Sequence, residues 1–179
     1  MSEAATLFGT LRQSQNAEAV LMPELDLDRV GDLVAFDLVN EHFWLLQEVI
    51  VSERGAIVDA VMATFETPDR AIAAAIRMRE AMSNLGAERQ HQNLVLKIGI
   101  HEGPCLAVNV NDQEDYFGQT VNVASRVQGL TDSRSIVATG KVVENAQTLA
   151  LLSIAHLKPA LRRTALRGIA DEVSVYDIP

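Results

Sequence analysis

Apolar residues recur every three or four positions between Asp32 and Ser52, at Phe36, Val39, Phe43, Leu46 and Ile50. That spacing predicts an amphipathic helix lying on a sheet, stopped by Gly55. Residues 56–65 are strand-like throughout. A second helix follows with Thr67 as N-cap, Pro68 at its first position, Asp69 in its first turn and Gly86 past its end. Its buried stripe is Ile72, Ile76 and Leu85, helped by Ala75 and Met82. Residues 19–22 form a short apolar strand ended by Pro23, and residues 94–100 form another. Gly103-Pro104 reads as a turn into a strand at 105–110. A helix over about 119–130, a strand at 135–138 and an alternating tail at 166–178, like an edge strand, complete the pattern. Residues 1–17, with Leu7 and Leu11 one turn apart, predict a short helical arm, leaving 18–179 as one domain.

The order strand, helix, strand pair, helix, strand implies an α+β protein with a ferredoxin-like sheet and helices on one face. Composition agrees with a globular chain, with 48% hydrophobic and 22% charged residues. The net charge of −9 argues against a nucleic-acid partner, since phosphate backbones are bound by an excess of Lys and Arg. One cysteine, Cys105, allows no disulfide framework and reads as a small buried group. Residues 1–8 lack the basic start and apolar core of a signal peptide, and no run reaches membrane-span length. The expected location is cytoplasmic, without a membrane.

Chemistry concentrates between Asp115 and Arg126, in Asp-Tyr-Phe-Gly-Gln-Thr-Val-Asn-Val-Ala-Ser-Arg. Asn122 and Arg126 are four apart on a predicted helix and share a face, with the Asp115 carboxylate just before the turn at Gly118. A guanidinium matches phosphoryl oxygens, an amide can fix a sugar oxygen, and a carboxylate can read an amino group on a base. From spacing alone, a solvated helix face is the commoner account of such a pair.

Residues 118–126 resemble the most specific motif of the class III adenylate and guanylate cyclases: Gly, then Thr-Val-Asn, two small residues and Arg. Ile98-Gly99-Ile100-His101-Glu102-Gly103-Pro104 is similar to the strand before that motif, and Leu166-Arg167-Gly168-Ile169 to the Leu-Lys-Gly segment near the C-terminus. The resemblance covers about residues 19–179 and implies the ferredoxin-like class III nucleotidyl cyclase fold, a central antiparallel sheet with helices packed on it. It further implies conversion of ATP to cyclic AMP and pyrophosphate at a dimer interface, where one chain gives metal-binding carboxylates and the other the transition-state Asn and Arg. By resemblance, Asn122 orients the ribose, Arg126 meets charge on the α-phosphate and Asp115 helps select adenine. Arg167 stands at the triphosphate-binding Lys. The implied cofactor is Mg²⁺ or Mn²⁺.

The metal half departs from the family pattern. Glu24 occupies the position of the first metal Asp, and an alternative register puts Thr10 there. Asp59 matches the second, but about four residues are missing before it, including the base-binding Lys and the turn Gly. Three readings follow: an inactive module for dimerisation or nucleotide sensing, a half-site donor to an intact cyclase chain, or an active homodimer. Outside this constellation, His101 and Glu102 are adjacent on a strand and point to opposite faces, so they form no metal pair, and His101 reads as a turn residue. Lys158, Arg162 and Arg163 read as solvated edge charges, with phosphate attraction as the sharper alternative. Phe43 and Trp44 read as core or dimer packing.

Overall fold

The computed structural model describes residues 11–26, 32–59, 62–88, 95–110, 113–131 and 136–179. In chain order the elements are β1 (Leu11–Asp26), α1 (Asp32–Ser52), β2 (Ala56–Asp59), β3 (Met62–Phe65), α2 (Pro68–Glu88), β4 (Val95–Val110) and β5 (Gln113–Phe117). Then come α3 (Gln119–Gln128), β6 (Ile136–Thr139), α4 (Gly140–Val143), α5 (Ala146–Ile154), β7 (Ala160–Thr164) and β8 (Val173–Ile178). The sheet runs β2-β3-β1-β4-β6-β8-β7, with β5 paired to β4. Among the described pairs only β4 with β6 is parallel. The first four strands lie in the order β2-β3-β1-β4 around the β1-α1-β2-β3-α2-β4 sequence, which is the ferredoxin-like arrangement.

Helices cover both faces, not one. Ala19, Leu21, Ile98, Ile100, Ile136 and Ala138 pack in one cluster with Leu46, Ile50, Ile72 and Met78 of α1 and α2. The alternate positions Val20, Cys105 and Val137 pack on the other side with Val123, Ala124 and Val127 of α3. Residues 19–21 and 136–138 are all buried, so these strands carry no polar alternation from which a covered second face could be excluded.

Several elements differ from their expectation. Residues 11–17 are strand, not helix, because β4 extends far enough to pair Leu11–Gln13 with Leu106–Val108. Residues 1–10, including Thr10, lie outside the described residues. β1 continues through Pro23, which lies past the last pair with β3, Leu21 with Ala63, where no ladder bond on that side needs its missing N–H. Gly103-Pro104 is no turn: β4 runs on, and Pro104 sits opposite the irregularity between Gln13 and Ala17 of β1. Residues 56–65 fold back on themselves as β2 and β3. The edge strand near the C-terminus is β7, since β8 pairs with both β6 and β7.

α1 ends through Arg54 at φ 59, with the Gly55 amide donating to Ile50 O at 2.8 Å. Gly55 is required for space, since a Cβ there would stand 2.5 Å from the Phe65 ring. On α1, Trp44 is 72% exposed and packs in no described core. His42 is buried, with Nδ1 3.0 Å from Met82 Sδ, and burial lowers its pKa to about 4. The unfolded imidazole takes up a proton near pH 6.5, the folded one only near 4. The neutral folded form therefore contributes stability that is complete above pH 6.5 and lost as pH falls toward 4. We expect urea midpoints to drop between pH 7 and 5, and His42→Gln to flatten that drop by an amount on the order of 1 kcal/mol or more.

Candidate active site

Two glycines seat α3 on the sheet. A Cβ at Gly99 would stand 2.2 Å from the Gln128 amide nitrogen, and one at Gly103 would stand 2.6 Å from Thr120 Oγ1. Four residues apart on β4, both lie on the same face, so the helix can rest directly on the strand backbone. Thr120 Oγ1 completes the seat by donating to Pro104 O at 2.7 Å. The helix begins at Gly118, whose φ of 135° favours glycine. Thr120, Val123, Ala124, Val127 and Gln128 are buried, which turns Asn122 outward and leaves Arg126 half-buried.

Arg126 meets the C-terminal motif. A Cβ on Gly168 would lie 3.5 Å from its Nη1 and 3.6 Å from its Nη2. Gly168 is the third residue of a turn closed by the Ile169 amide donating to Leu166 O at 3.0 Å, and its φ of 75° suits that place. Leu166 is buried with Val123 and Val127, and Ile169 packs against the same cluster. Arg167 is the exposed second residue of that turn, next to Gly168 in the chain. Among the described residues no carboxylate neutralises either guanidinium.

The side chains of Glu24, Asp59 and Asp115 lie outside the described set, but their backbones are placed. Asp59 pairs with Met62, so β2 and β3 close with two residues between them, a hairpin length. Glu24 lies past the Leu21–Ala63 pair, on the side where β3 meets that hairpin, so Glu24 and Asp59 sit at the same end of β1 and β2, with β3 between them. Glu24 is opposite Lys97 of β4, whereas Asp115 is opposite Val108. Those β4 positions are eleven residues apart (108 − 97), yet β2, which carries Asp59, lies in contact with β5, which carries Asp115.

His101 lies inside β4, not at a turn. Its Nδ1 is 2.9 Å from Thr139 Oγ1, and burial, with Lys141 nearby, lowers its pKa to about 4. It is therefore neutral near pH 7. Burial raises the Glu102 carboxyl, opposed by Lys141. Arg162 is no free edge charge: it pairs with Asp177 at 2.8 Å and donates to Leu130 O at 3.0 Å, tying β7 to β8 and to the exit of α3. Sequence reasoning missed this staple because its partners are 15 and 32 residues away.

Residues 34–170 match the adenylate and guanylate cyclase catalytic domain family. The chain belongs to this family. The match includes Asp59, Asp115, Asn122, Arg126 and Arg167. An adenylate cyclase of Anabaena cylindrica is 28% identical over 80% of this cyclase-family chain, and adenylate cyclase 1 of Rhizobium meliloti (strain 1021) is 26% identical over 79%. The chain spans only 32% and 23% of the length of those two relatives. The crystal structure of the adenylyl cyclase CyaB from P. aeruginosa superposes with a TM-score of 0.78 at 19% identity, covering 94% of this chain and 96% of that one. That likeness shows the class III cyclase fold. No described helix is long and apolar enough to cross a membrane.

Proposed function

We propose that the domain converts ATP to cyclic AMP and pyrophosphate in a cytoplasmic dimer, giving Asn122, Arg126, Arg167 and Asp115 to a site completed by another chain's metal carboxylates. The meeting of Arg126 on α3 with the turn that bears Arg167, in a chain that matches the cyclase family, carries this reading. A head-to-tail pair would set Asn122 and Arg126 of one chain against the metal carboxylates of the other, whether a second copy or an intact cyclase chain.

In the reaction, the ribose 3′-oxygen bonds to the α-phosphorus, the α–β anhydride bond breaks, and the hydroxyl proton passes to solvent. Asn122 holds the sugar so that the oxygen lies in line. Arg126, on the rigid helix seat, donates to the oxygen where negative charge grows, and Arg167 holds the leaving phosphates. Glu24 and Asp59 offer hard oxygen ligands at one sheet end, a donor set that fits Mg²⁺ or Mn²⁺. An ion held there supplies Lewis-acid polarisation of the phosphoryl oxygens.

Glutamate in place of aspartate reaches one methylene farther, and valine precedes Asp59 where the resemblance expects the turn glycine. These substitutions weaken the chain's own metal half and favour, as a second reading, a module that dimerises without turnover. Mixing with a homologue that keeps both metal Asp but lacks its Asn and Arg separates the two. Cyclic AMP formation from ATP with Mn²⁺ in the mixture is the expected result, and none would leave the inactive module. Asp115 without a base-binding Lys should also discriminate bases weakly. Calorimetry should give weak binding with a modest preference for ATP over GTP; tight, strongly ATP-selective binding would contradict this account of the base site.

A further inference from the structure

Arg126 is a long, half-exposed side chain that no described carboxylate anchors. Unrestrained, such a guanidinium samples many rotamers, a freedom that must be given up when it is fixed on a ligand. We propose that Gly168 is a positioning residue for Arg126, its bare turn a fixed stop beside the guanidinium. This rests on the reading of Arg126 as the group that meets charge on the α-phosphate.

Two observations support the stop. First, the position of a Cβ on Gly168 is 3.5, 3.6 and 3.8 Å from Nη1, Nη2 and Cζ of Arg126. The Nη edge of the guanidinium therefore lies within ordinary contact reach of a side chain at 168, and glycine leaves that space open. Second, the turn moves with the helix. The Leu166–Ile169 bond closes it, and Leu166, 4% exposed, packs in one cluster with Val123 and Val127 of α3. Helix and stop are thus two parts of one packed unit. Gly168 satisfies the left-handed φ of 75° and leaves the contact open.

The test uses Gly168→Asn, because asparagine accepts left-handed backbone at small cost while placing an amide against the guanidinium. In the mixed assembly with the metal-competent homologue, kcat should fall roughly 10- to 100-fold, as for a misplaced catalytic group. The KM for ATP should stay unchanged, since the lost interaction belongs to the transition state. In an Arg126→Lys background the same substitution should cost much less. An equal loss in both backgrounds, or a change in KM alone, would overturn the proposal.

Nitrogen-15 spectra of the arginine side chains, taken without nucleotide, read the contact independently of turnover. The Arg126 Nε signal, assigned by its loss in Arg126→Lys, should shift in Gly168→Asn while the melting temperature holds. An unmoved signal would overturn the proposal even with turnover intact. If the unsubstituted chain gives no cyclic AMP in the mixture, the cyclase reading falls and the Nε signal still decides whether Gly168 places Arg126.

Discussion

Replacing Arg126 by alanine should remove the cyclase activity that this chain restores to a metal-competent partner, by roughly 10³-fold or more. The residue stands on a helix fixed at both ends to β4, with its guanidinium free of described carboxylates and close beside the 166–169 turn. Such a charge acts where negative charge develops, not on the bound ground state, so kcat should collapse while ATP binding weakens little. Arg126→Lys keeps the charge but loses the planar fork, and should recover only part of the rate. Arg126 points away from the sheet core, so chemical denaturation of the alanine variant should match the original. Full activity in Arg126→Ala would make the motif a relic and the domain a structural module.

The largest effect on stability should come from Gly99→Ala. Its new methyl would meet the Gln128 backbone nitrogen at 2.2 Å, and no rotamer change can relieve a clash between Cβ and backbone. Either α3 lifts from the sheet or β4 bends, at a cost of about 3 kcal/mol, the upper range for overpacking. A fall in Tm of roughly 6–12 °C follows for a domain of this size. Lifting α3 would also carry Asn122 and Arg126 off their places, so rescue activity should fall with stability. Gly129→Ala is the control on the same helix. Its φ of −63° and ψ of −9° are right-handed, and a Cβ would find its nearest atom at 3.5 Å. That variant should be unchanged or more stable by about 0.4–1 kcal/mol. Equal melting of the two variants would show that the seat of α3 does not depend on Gly99.

Local pattern was enough for part of the helices. The apolar spacing of residues 32–52 and the Thr-Pro-Asp start at 67–69 give α1 and the start of α2, because a helix's hydrogen bonds and periodicity lie within its own sequence. But α2 runs on through Gly86, the expected stop, to Glu88, and α4 and α5 are not foreseen. The order of strands and helices was likewise enough for the ferredoxin-like class, and the ordered motifs for the cyclase family. Strand limits were not legible. Whether residues 11–17 extend or coil depends on the far end of β4, some ninety residues later, and Pro23 or Pro104 can sit in a strand only where the neighbouring ladder ends or shifts. The same holds for the glycines. In sequence, Gly99, Gly103 and Gly168 are letters of motifs; only the packed molecule shows that two of them let a helix touch a strand and the third receives a guanidinium. Asn122 and Arg126 could be named from the chain because four residues make one helical turn. That Arg126 comes beside the 166–169 turn, and that β2 with Asp59 lies against β5 with Asp115, follow from register and crossing, which long-range contacts alone decide.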